Sequence, residues 1–231
     1  MHPRFFLRTV RDVYVRFGWV AAAKFLLEGM LNLFMFFDCL HIIVLERTAL
    51  KPLDSLASRR FDSRIATETE LNNMSTDPRW EIGDTKLGFF RMGDLCVLSF
   101  VDGQPAGYTW VHTNGRPELI PGLTISIPEE YVYNYAGLTL ADFRGAGLQS
   151  YRHHSVLDHE RWKNRRALLG YVKATNFASR KGQFKSGYKK VGTLWLLGTR
   201  RHFIAIPSSS LVKMGVRRLF SKHEECEATI A

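Results

Sequence analysis

Two hydrophobic periods follow one another along the chain, and the change between them divides it. From residue 4 to 37 the apolar positions recur at helical spacing, which predicts a helix. On a helical wheel Phe6, Val10, Val13 and Phe17 share one face, and Arg4, Arg8 and Arg11 share the opposite one. Lys24 and Glu28, four apart, can pair. The plainer reading, adopted here, packs this helix on the domain or on a second subunit. The sharper one lays it on an anionic membrane with its arginines at the headgroups. Residues 40–47 are short and β-branched, as in a first strand. Pro52, several serines and mixed charge make 50–64 a loop. Thr67 with Glu70 three residues on is a capping-box start to a short helix, and Asp84 is placed to cap another over 85–92.

Period two then takes over. Residues 95–101 and 106–112 read as strands joined by a tight turn at Asp102-Gly103, and 113–129 as a Pro- and Gly-rich loop. In the strand 130–140, Tyr131, Tyr133 and Tyr135 face one way and Val132, Asn134 and Ala136 the other. A helix over 147–163, a buried strand over 167–172 and a helix over 175–185 follow. Residues 191–206 make one bent strand or two, with Gly198 at the bend, and Leu211 to Phe220 a short basic helix. The order predicts an α/β (α+β mixed) fold with a mixed sheet. It divides into an amphipathic helical extension over 1–37, a domain over 38–206 and a basic tail over 207–231.

Charge narrows the partners without choosing among them. The 231 residues carry a formal charge of +10, which favours nucleic acid, an anionic membrane or a phosphate-rich ligand. Cys39, Cys96 and Cys226 lie far apart and fit neither a disulfide framework nor a zinc site, so a reduced, cytoplasmic setting is expected. The arginine-rich start is like that of a signal or transit peptide. Lys24 and Glu28 break the apolar run, no small-residue cleavage site follows, and Asp12 is foreign to a transit peptide. The apolar stretch from Gly29 to Leu45 is interrupted by Asn32, Asp38 and His41, which is marginal for a spanning helix. His153, His154 and His159 do not share a helix face, and no metal is expected.

The densest chemical signal runs from Tyr131 to Ser150. A strand ends at Leu140, the turn Ala-Asp-Phe-Arg-Gly-Ala-Gly follows, and a helix begins. Gly145 and Gly147 allow backbone conformations closed to other residues. The free N–H groups of 146–150 then point out of a helix N-terminus, where anions bind, with Arg144 beside them. The plainer reading is a glycine-rich turn with no ligand.

This stretch resembles the GNAT (Gcn5-related N-acetyltransferase) superfamily. That family carries R/Q-x-x-G-x-G/A between its fourth strand and third helix, and here Arg144-Gly145-Ala146-Gly147-Leu148-Gln149 stands there, with Gln149 in place of the final small residue. Downstream the family shows Asn, a small residue three on and Gly-aromatic about eleven on. Asn176, Ser179 and Gly187-Tyr188 match, and the resemblance covers about residues 65–206. It implies a centrally splayed sheet with helices on both faces, and acyl transfer from acetyl-CoA (or another acyl-CoA) to an amine by direct attack. The cofactor-binding residues implied are Leu138, Thr139 and Leu140 along the strand edge for pantetheine, the turn Arg144, Gly145, Ala146, Gly147, Leu148, Gln149 and Ser150 for the pyrophosphate, and Asn176 near the pantetheine or adenosine end.

The family's proton-donating Tyr is replaced by Gln183, which leaves Tyr188, another group or water to serve, or no acid at all, since a thiol of pKa ~8.5 leaves readily. Candidate bases are Glu130 (with Glu129), His112 and Tyr133 (with Tyr135). Each has a plainer reading, as a solvated strand entrance or an aromatic core face. Two rivals stand beside this reading. One is a long-chain or lipid-linked acyltransferase at the membrane surface. The other is a non-catalytic nucleic-acid module built on Arg161, Lys163, Arg165 and Arg166, then Arg180, Lys181, Lys185, Lys189 and Lys190, then Arg200 and Arg201, with Trp162, Phe177, Phe184 and Tyr188 among them. No zinc-finger or RRM signature supports the latter. A homodimer is compatible with the sequence, and the acceptor amine is left open.

Overall fold

The computed structural model describes residues 3–50, 52, 60–113, 116–199 and 202–219, with side chains omitted for 3–7 and 217–219. Two helices come first, α1 (Pro3–Phe17) and α2 (Trp19–Phe34), then strand β1 (Phe36–Glu46). The single helix expected over 4–37 is therefore broken. Gly18 sits at φ +83° between the two segments, and the first strand starts four residues earlier than its β-branched run suggests. Val10, Val13 and Phe17 are half-buried and Arg8 and Arg11 exposed, as the wheel predicts; the side chains of Phe6 and Arg4 lie outside the described residues.

Strand β2 (Phe61–Ile65) leads to α3 (Glu68–Ser75). The capping box is formed: Thr67 Oγ1 accepts from the Glu70 N–H at 3.3 Å and Glu70 Oε2 accepts from the Thr67 N–H at 2.9 Å. Glu70 also takes two hydrogen bonds from Arg64, which hold its carboxyl down at about 2. Helix α4 (Asp84–Arg91) is capped differently from expectation, with Gly83 at the N-cap and Asp84 as its first residue, making no side-chain cap. Strands β3 (Leu95–Val101) and β4 (Gln104–His112) form the predicted hairpin, with Asp102 and Gly103 both at positive φ. The expected loop after them contains a hairpin, β5 (Glu118–Ile120) and β6 (Leu123–Ser126). Then come β7 (Tyr131–Thr139), α5 (Leu148–Asp158), β8 (Ala167–Lys173), α6 (Phe177–Lys185), β9 (Lys189–Gly198), β10 (Phe203–Pro207), α7 (Ser209–Lys213) and β11 (Arg217–Leu219). Helix α5 is shorter than predicted, Gly198 makes the bend between β9 and β10, and the expected helix over 211–220 is instead α7 followed by β11. Residues 220–231, including Cys226, lie outside the described residues, as do Arg200 and Arg201.

The main sheet runs β10-β9-β1-β8-β7-β4-β3-β2, and β11-β6-β5 form a second, small sheet. Among the described residues every neighbouring pair of the main sheet is antiparallel except β7–β8, which is parallel over Tyr131–Tyr133 and Ala167–Leu169. Strand β1 lies in the middle of the sheet, between β8 and β9, although it comes first in the chain. Strict alternation splits its side chains: Leu40, Ile42 and Val44 pack with Tyr133, Leu169, Leu194 and the small sheet, while Ile43 and Leu45 pack with Val132, Val156 and Leu168 under α5. Helices α3 and α4 cover the first of these faces with Leu71, Met74 and Phe89, which pack around Trp110 of β4.

The end of the described chain is built into this core. Leu211 of α7 is fully buried with Leu194, Leu196 and Val216, and Gly192 opposite has no room for a Cβ, which would lie 2.4 Å from Leu211 Cγ. Replacing Leu211→Ala should lower unfolding free energy by about 2–5 kcal/mol. Urea denaturation checks this, and a loss below about 1 kcal/mol, typical of a surface position, would show that α7 is dispensable to the core.

Candidate functional site

The parallel pair β7–β8 holds together for three residues and then opens. Beyond Tyr133 and Leu169 the two strands share no further pairing. The cause lies on the other side of β7. Its register with β4 slips between Tyr108 and Trp110, and Ala136 takes φ +46°. This is a β-bulge, which bends the strand that carries it. The edge of β7 from Asn134 to Thr139 is thereby turned into a cleft of about 600 Å³. Its walls are β7, β8 and the near faces of α5 and α6, with Arg144, Gln149, Gly170, Ser179, Gln183 and Tyr188 among the lining residues.

One end of the cleft is the N-terminus of α5. Gly145 and Gly147 stand at φ +83° and +89°, conformations that L side chains rarely adopt. They turn the chain so that the helix begins at Leu148 with Gly147 as a bare N-cap. Among the described residues, none of the N–H groups of 145–150 donates to a protein acceptor. Free donors and the positive pole of the helix coincide there. Arg144 lies alongside, its Nε donating to the Thr139 carbonyl at 3.1 Å.

Beneath the strand edge sits a residue that the sequence reading did not single out. Arg152 of α5 is 2% exposed. Its Nε donates to Ser99 Oγ at 3.1 Å, Nη1 to the carbonyls of Leu138 (3.0 Å) and Tyr108, and Nη2 to Thr139 Oγ1 at 3.0 Å. Burial pushes the guanidinium down to about 10, so it stays a cation at neutral pH. The signal available in the sequence was a charged residue at a core-facing position, eight after Arg144, and a helical wheel of α5 would have shown it. Gly107 makes room for it: a Cβ there would lie 2.7 Å from Arg152 Nη2 and 2.4 Å from the Leu138 carbonyl oxygen.

A polar chain crosses the cleft floor. Thr109 Oγ1 donates to Asn134 Oδ1, Asn134 Nδ2 donates to Tyr188 Oη at 3.4 Å, and Tyr188 Oη lies 3.4 Å from His153 Nε2. Burial pushes the Tyr188 hydroxyl up, so it keeps its proton. Burial, helped by the nearby Arg152 charge, pushes His153 down to about 3 and keeps it neutral. Across the mouth Gln149 Nε2 donates to Gln183 Oε1 at 3.1 Å, joining α5 to α6.

Of the sequence-predicted binding residues, the cleft brings together Leu138, Thr139, Arg144 and Gln149. Gly145, Ala146, Gly147, Leu148 and Ser150 supply the turn beside them. Leu140 is turned away: its N–H donates to the Ala106 carbonyl and its side chain packs with the α3–α4 cluster. Asn176 is the N-cap of α6, its Oδ1 accepting from the Ser179 N–H at 3.1 Å. None of Glu130, His112 and Tyr133 lines the cleft. Tyr133 and His112 are paired across β7 and β4 on the opposite sheet face. The Tyr133 hydroxyl is buried, and burial pushes it well above its ordinary value. His112 Nδ1 lies 2.7 Å from Asp94 Oδ1, and Asp94 also accepts from Tyr135. Glu130 is exposed at the foot of β7, where its carbonyl accepts from Arg166 and Ala167. Of the aromatics among the basic clusters, Trp162 and Tyr188 are buried and so offer no stacking face. Arg166 pairs with Glu46, Lys163 with Glu160, and Arg165 donates to the Glu129 carbonyl.

No family model matches the chain, and no curated protein matches it. Solved structures are similar to it in fold. A functionally unknown conserved protein from Staphylococcus epidermidis is similar over 74% of this chain and 65% of its own, with a TM-score of 0.50 and 16% identity. The likeness is one of fold, a mixed α/β sheet with helices packed on it. An acetyltransferase from the GNAT family of Colwellia psychrerythraea is similar over 71% of this chain and 57% of its own, at a TM-score of 0.48 and 11% identity. The aminoglycoside N-acetyltransferase AAC(6')-Iy, solved in complex with CoA, is similar over 58% of this chain and 90% of its own, at 0.42 and 16%. The chain spans just under two thirds of the first of these structures. The splay between β7 and β8 opens the main sheet, and the turn 144–150 sits at its mouth.

Two outcomes follow from the buried groups. Arg152→Met removes four buried hydrogen bonds, to the carbonyls of Tyr108 and Leu138 and the hydroxyls of Ser99 and Thr139, and should cost about 2–5 kcal/mol in urea denaturation. A cost below about 1 kcal/mol would mean that other donors replace it. His153, neutral when folded and of ordinary value near 6.5 when unfolded, binds a proton in the unfolded chain first. Its contribution is therefore full above pH 6.5 and declines as pH falls toward 3, at up to about 1.4 kcal/mol per pH unit. Melting temperatures measured from pH 7 to pH 5 should fall less steeply for His153→Gln than for wild type, and equal slopes would place the acid sensitivity elsewhere.

Proposed function

We propose that this protein transfers an acyl group, acetyl by default, from CoA to an amine by direct attack. The observation that carries this reading is the meeting of two unpaired backbone surfaces in one cleft: the opened edge of β7 and the donor-rich N-terminus of α5. Such an end accepts phosphate, and an open strand edge accepts an extended amide-bearing arm. CoA, which has a pyrophosphate and an amide-bearing pantetheine, supplies the acyl group as an activated thioester.

On this reading the N–H groups of 145–150 hold the pyrophosphate, with Arg144 beside it. The edge at Leu138–Thr139 aligns the pantetheine. Arg152 adds a fixed positive charge below that edge, where negative charge on oxygen or sulfur would be stabilised. Tyr188 keeps a proton at the cleft floor and is held by Asn134 and His153, which suits it to protonate a departing thiolate in place of Gln183. Gln183 is instead engaged with Gln149. The acceptor amine would lose its proton to water in the cleft mouth.

Isothermal titration of the protein with acetyl-CoA tests this, with a long-chain acyl-CoA as companion. Binding in the micromolar range is expected. Gly147→Glu, which adds bulk and negative charge to the turn, should weaken it by at least about 100-fold, and the milder Arg144→Ala by about 10-fold, in line with the worth of charge-assisted hydrogen bonds. Unchanged affinity in both variants would overturn the site assignment. Tighter binding of the long-chain thioester would move the substrate class toward lipids.

A further inference from the structure

Helix α2 has one satisfied face and one open one. On the satisfied face Ala21 and Ala22 are buried, and the Thr175 hydroxyl donates to Glu28 Oε1 at 3.0 Å. Asn32 is tied to the backbone of Phe37 by two hydrogen bonds. On the open face Trp19, Leu27, Met30, Leu33 and Phe34 point outward, and Trp19, Leu33 and Phe34 are 72, 79 and 88% exposed. Their offsets from Trp19 are 8, 11, 14 and 15, which on a 3.6-residue helix is a single stripe. No charged residue interrupts it, since Lys24 and Glu28 fall on the far flank. A contiguous apolar face of this kind marks an interaction surface.

Charge selects the occupant. The exposed charged side chains described on α1 are Arg8, Arg11 and Arg16 against Asp12. Lys24, Arg180 and Lys181 line the groove where α2 meets α6. A second copy docked on this stripe would bring two such cationic sets together, whereas an anionic surface neutralises one. Helix α2 has 16 residues, and among the described residues no helix is long and apolar enough to cross a bilayer. A surface-lying helix with an aromatic-rich apolar face and cationic flanks is the form that binds at a headgroup boundary.

We propose that α1 and α2 seat this protein on an anionic bilayer surface, with the exposed face of α2 in the headgroup–acyl boundary and the α1 arginines at lipid phosphates. Helix α6 links this surface to the cleft. Phe177, Arg180 and Phe184 face the groove beside α2, while Ser179, Gly182 and Gln183 line the cleft. The seating would place the cleft mouth next to the bilayer, but it does not depend on what the cleft binds.

The test is co-sedimentation of the full chain with vesicles of mixed phosphatidylglycerol and phosphatidylcholine, against phosphatidylcholine alone. Wild type should pellet with the anionic vesicles, less so in high salt. Met30→Asp with Leu33→Asp should cut the partition constant by about 100-fold, given the apolar burial removed. Arg8→Gln and Arg11→Gln should cut it by about fivefold each. These side chains are solvent-facing, so the variants should keep the wild-type melting temperature. Should the aspartate pair unfold the protein, Trp19→Ser carries the same comparison. Absence of wild-type binding to anionic vesicles, or equal binding by the aspartate variant, would overturn the proposal. So would a wild-type dimer in sedimentation velocity that the aspartate pair converts to monomer without any vesicle affinity, which would assign the face to a second copy.

Discussion

The buried guanidinium of Arg152 is the interaction on which the site depends. The register of β4 with β7 slips just past the pair Tyr108–Leu138, and the carbonyls of both residues accept from the buried guanidinium at that point, where an unpaired buried polar group would cost about 1–3 kcal/mol. Arg152 donates to both carbonyls from α5 and reaches Ser99 and Thr139 with its remaining nitrogens. Its planar, forked geometry suits four acceptors spread over three strands, and a lysine could not reach them all. The bend in β7 is thus tolerated, and the bend opens the cleft. Gly107 is part of the same arrangement, because any side chain there would collide with both the carbonyl and the guanidinium.

Holding a cation in this way has an electrostatic consequence. The acceptors of Arg152 are two carbonyls and two hydroxyls, all neutral, so its charge is solvated by dipoles rather than cancelled by a carboxylate. The residual field adds to that of the α5 N-terminus and of Arg144, and all three lie along one side of the cleft. The neighbouring His153 stays neutral, pushed down first by its burial and further by this charge. The cleft is therefore prepared for negative charge along its length, which is the feature that the proposed ligand exploits.

The two faces of the sheet explain where the candidate acids and bases came to lie. Period-two alternation placed Tyr133 with Tyr131 and Tyr135, and Asn134 on the other side, and the structure keeps that division as far as the bulge. The cleft opened where β7 and β8 part, beyond Tyr133, and there Asn134 and the candidate Tyr135 both line it. His112, opposite Tyr133 in register, is held by Asp94, which also accepts from Tyr135, and it does not line the cleft. Tyr188, far away in sequence, was carried to the cleft floor by β9 pairing with β1 at the centre of the sheet. No local pattern announces that pairing.

Local rules determined what local energies control. The capping box at Thr67 and Glu70, the Asp102-Gly103 hairpin, the glycine turn before α5 and the amphipathic character of α1 were legible in the sequence because each depends on a few neighbouring residues. The free N–H groups at the start of α5, where the proposed phosphate contacts lie, belong to the same turn. Tertiary structure alone decided the rest. The insertion of β1 between β8 and β9, the break at Gly18, the hairpin β5–β6 and the burial of Leu211 depend on partners far along the chain. So does the place where the sheet opens, because the strands beside it are tied together by Arg152, a charge that the sequence displays but whose acceptors only the fold assembles.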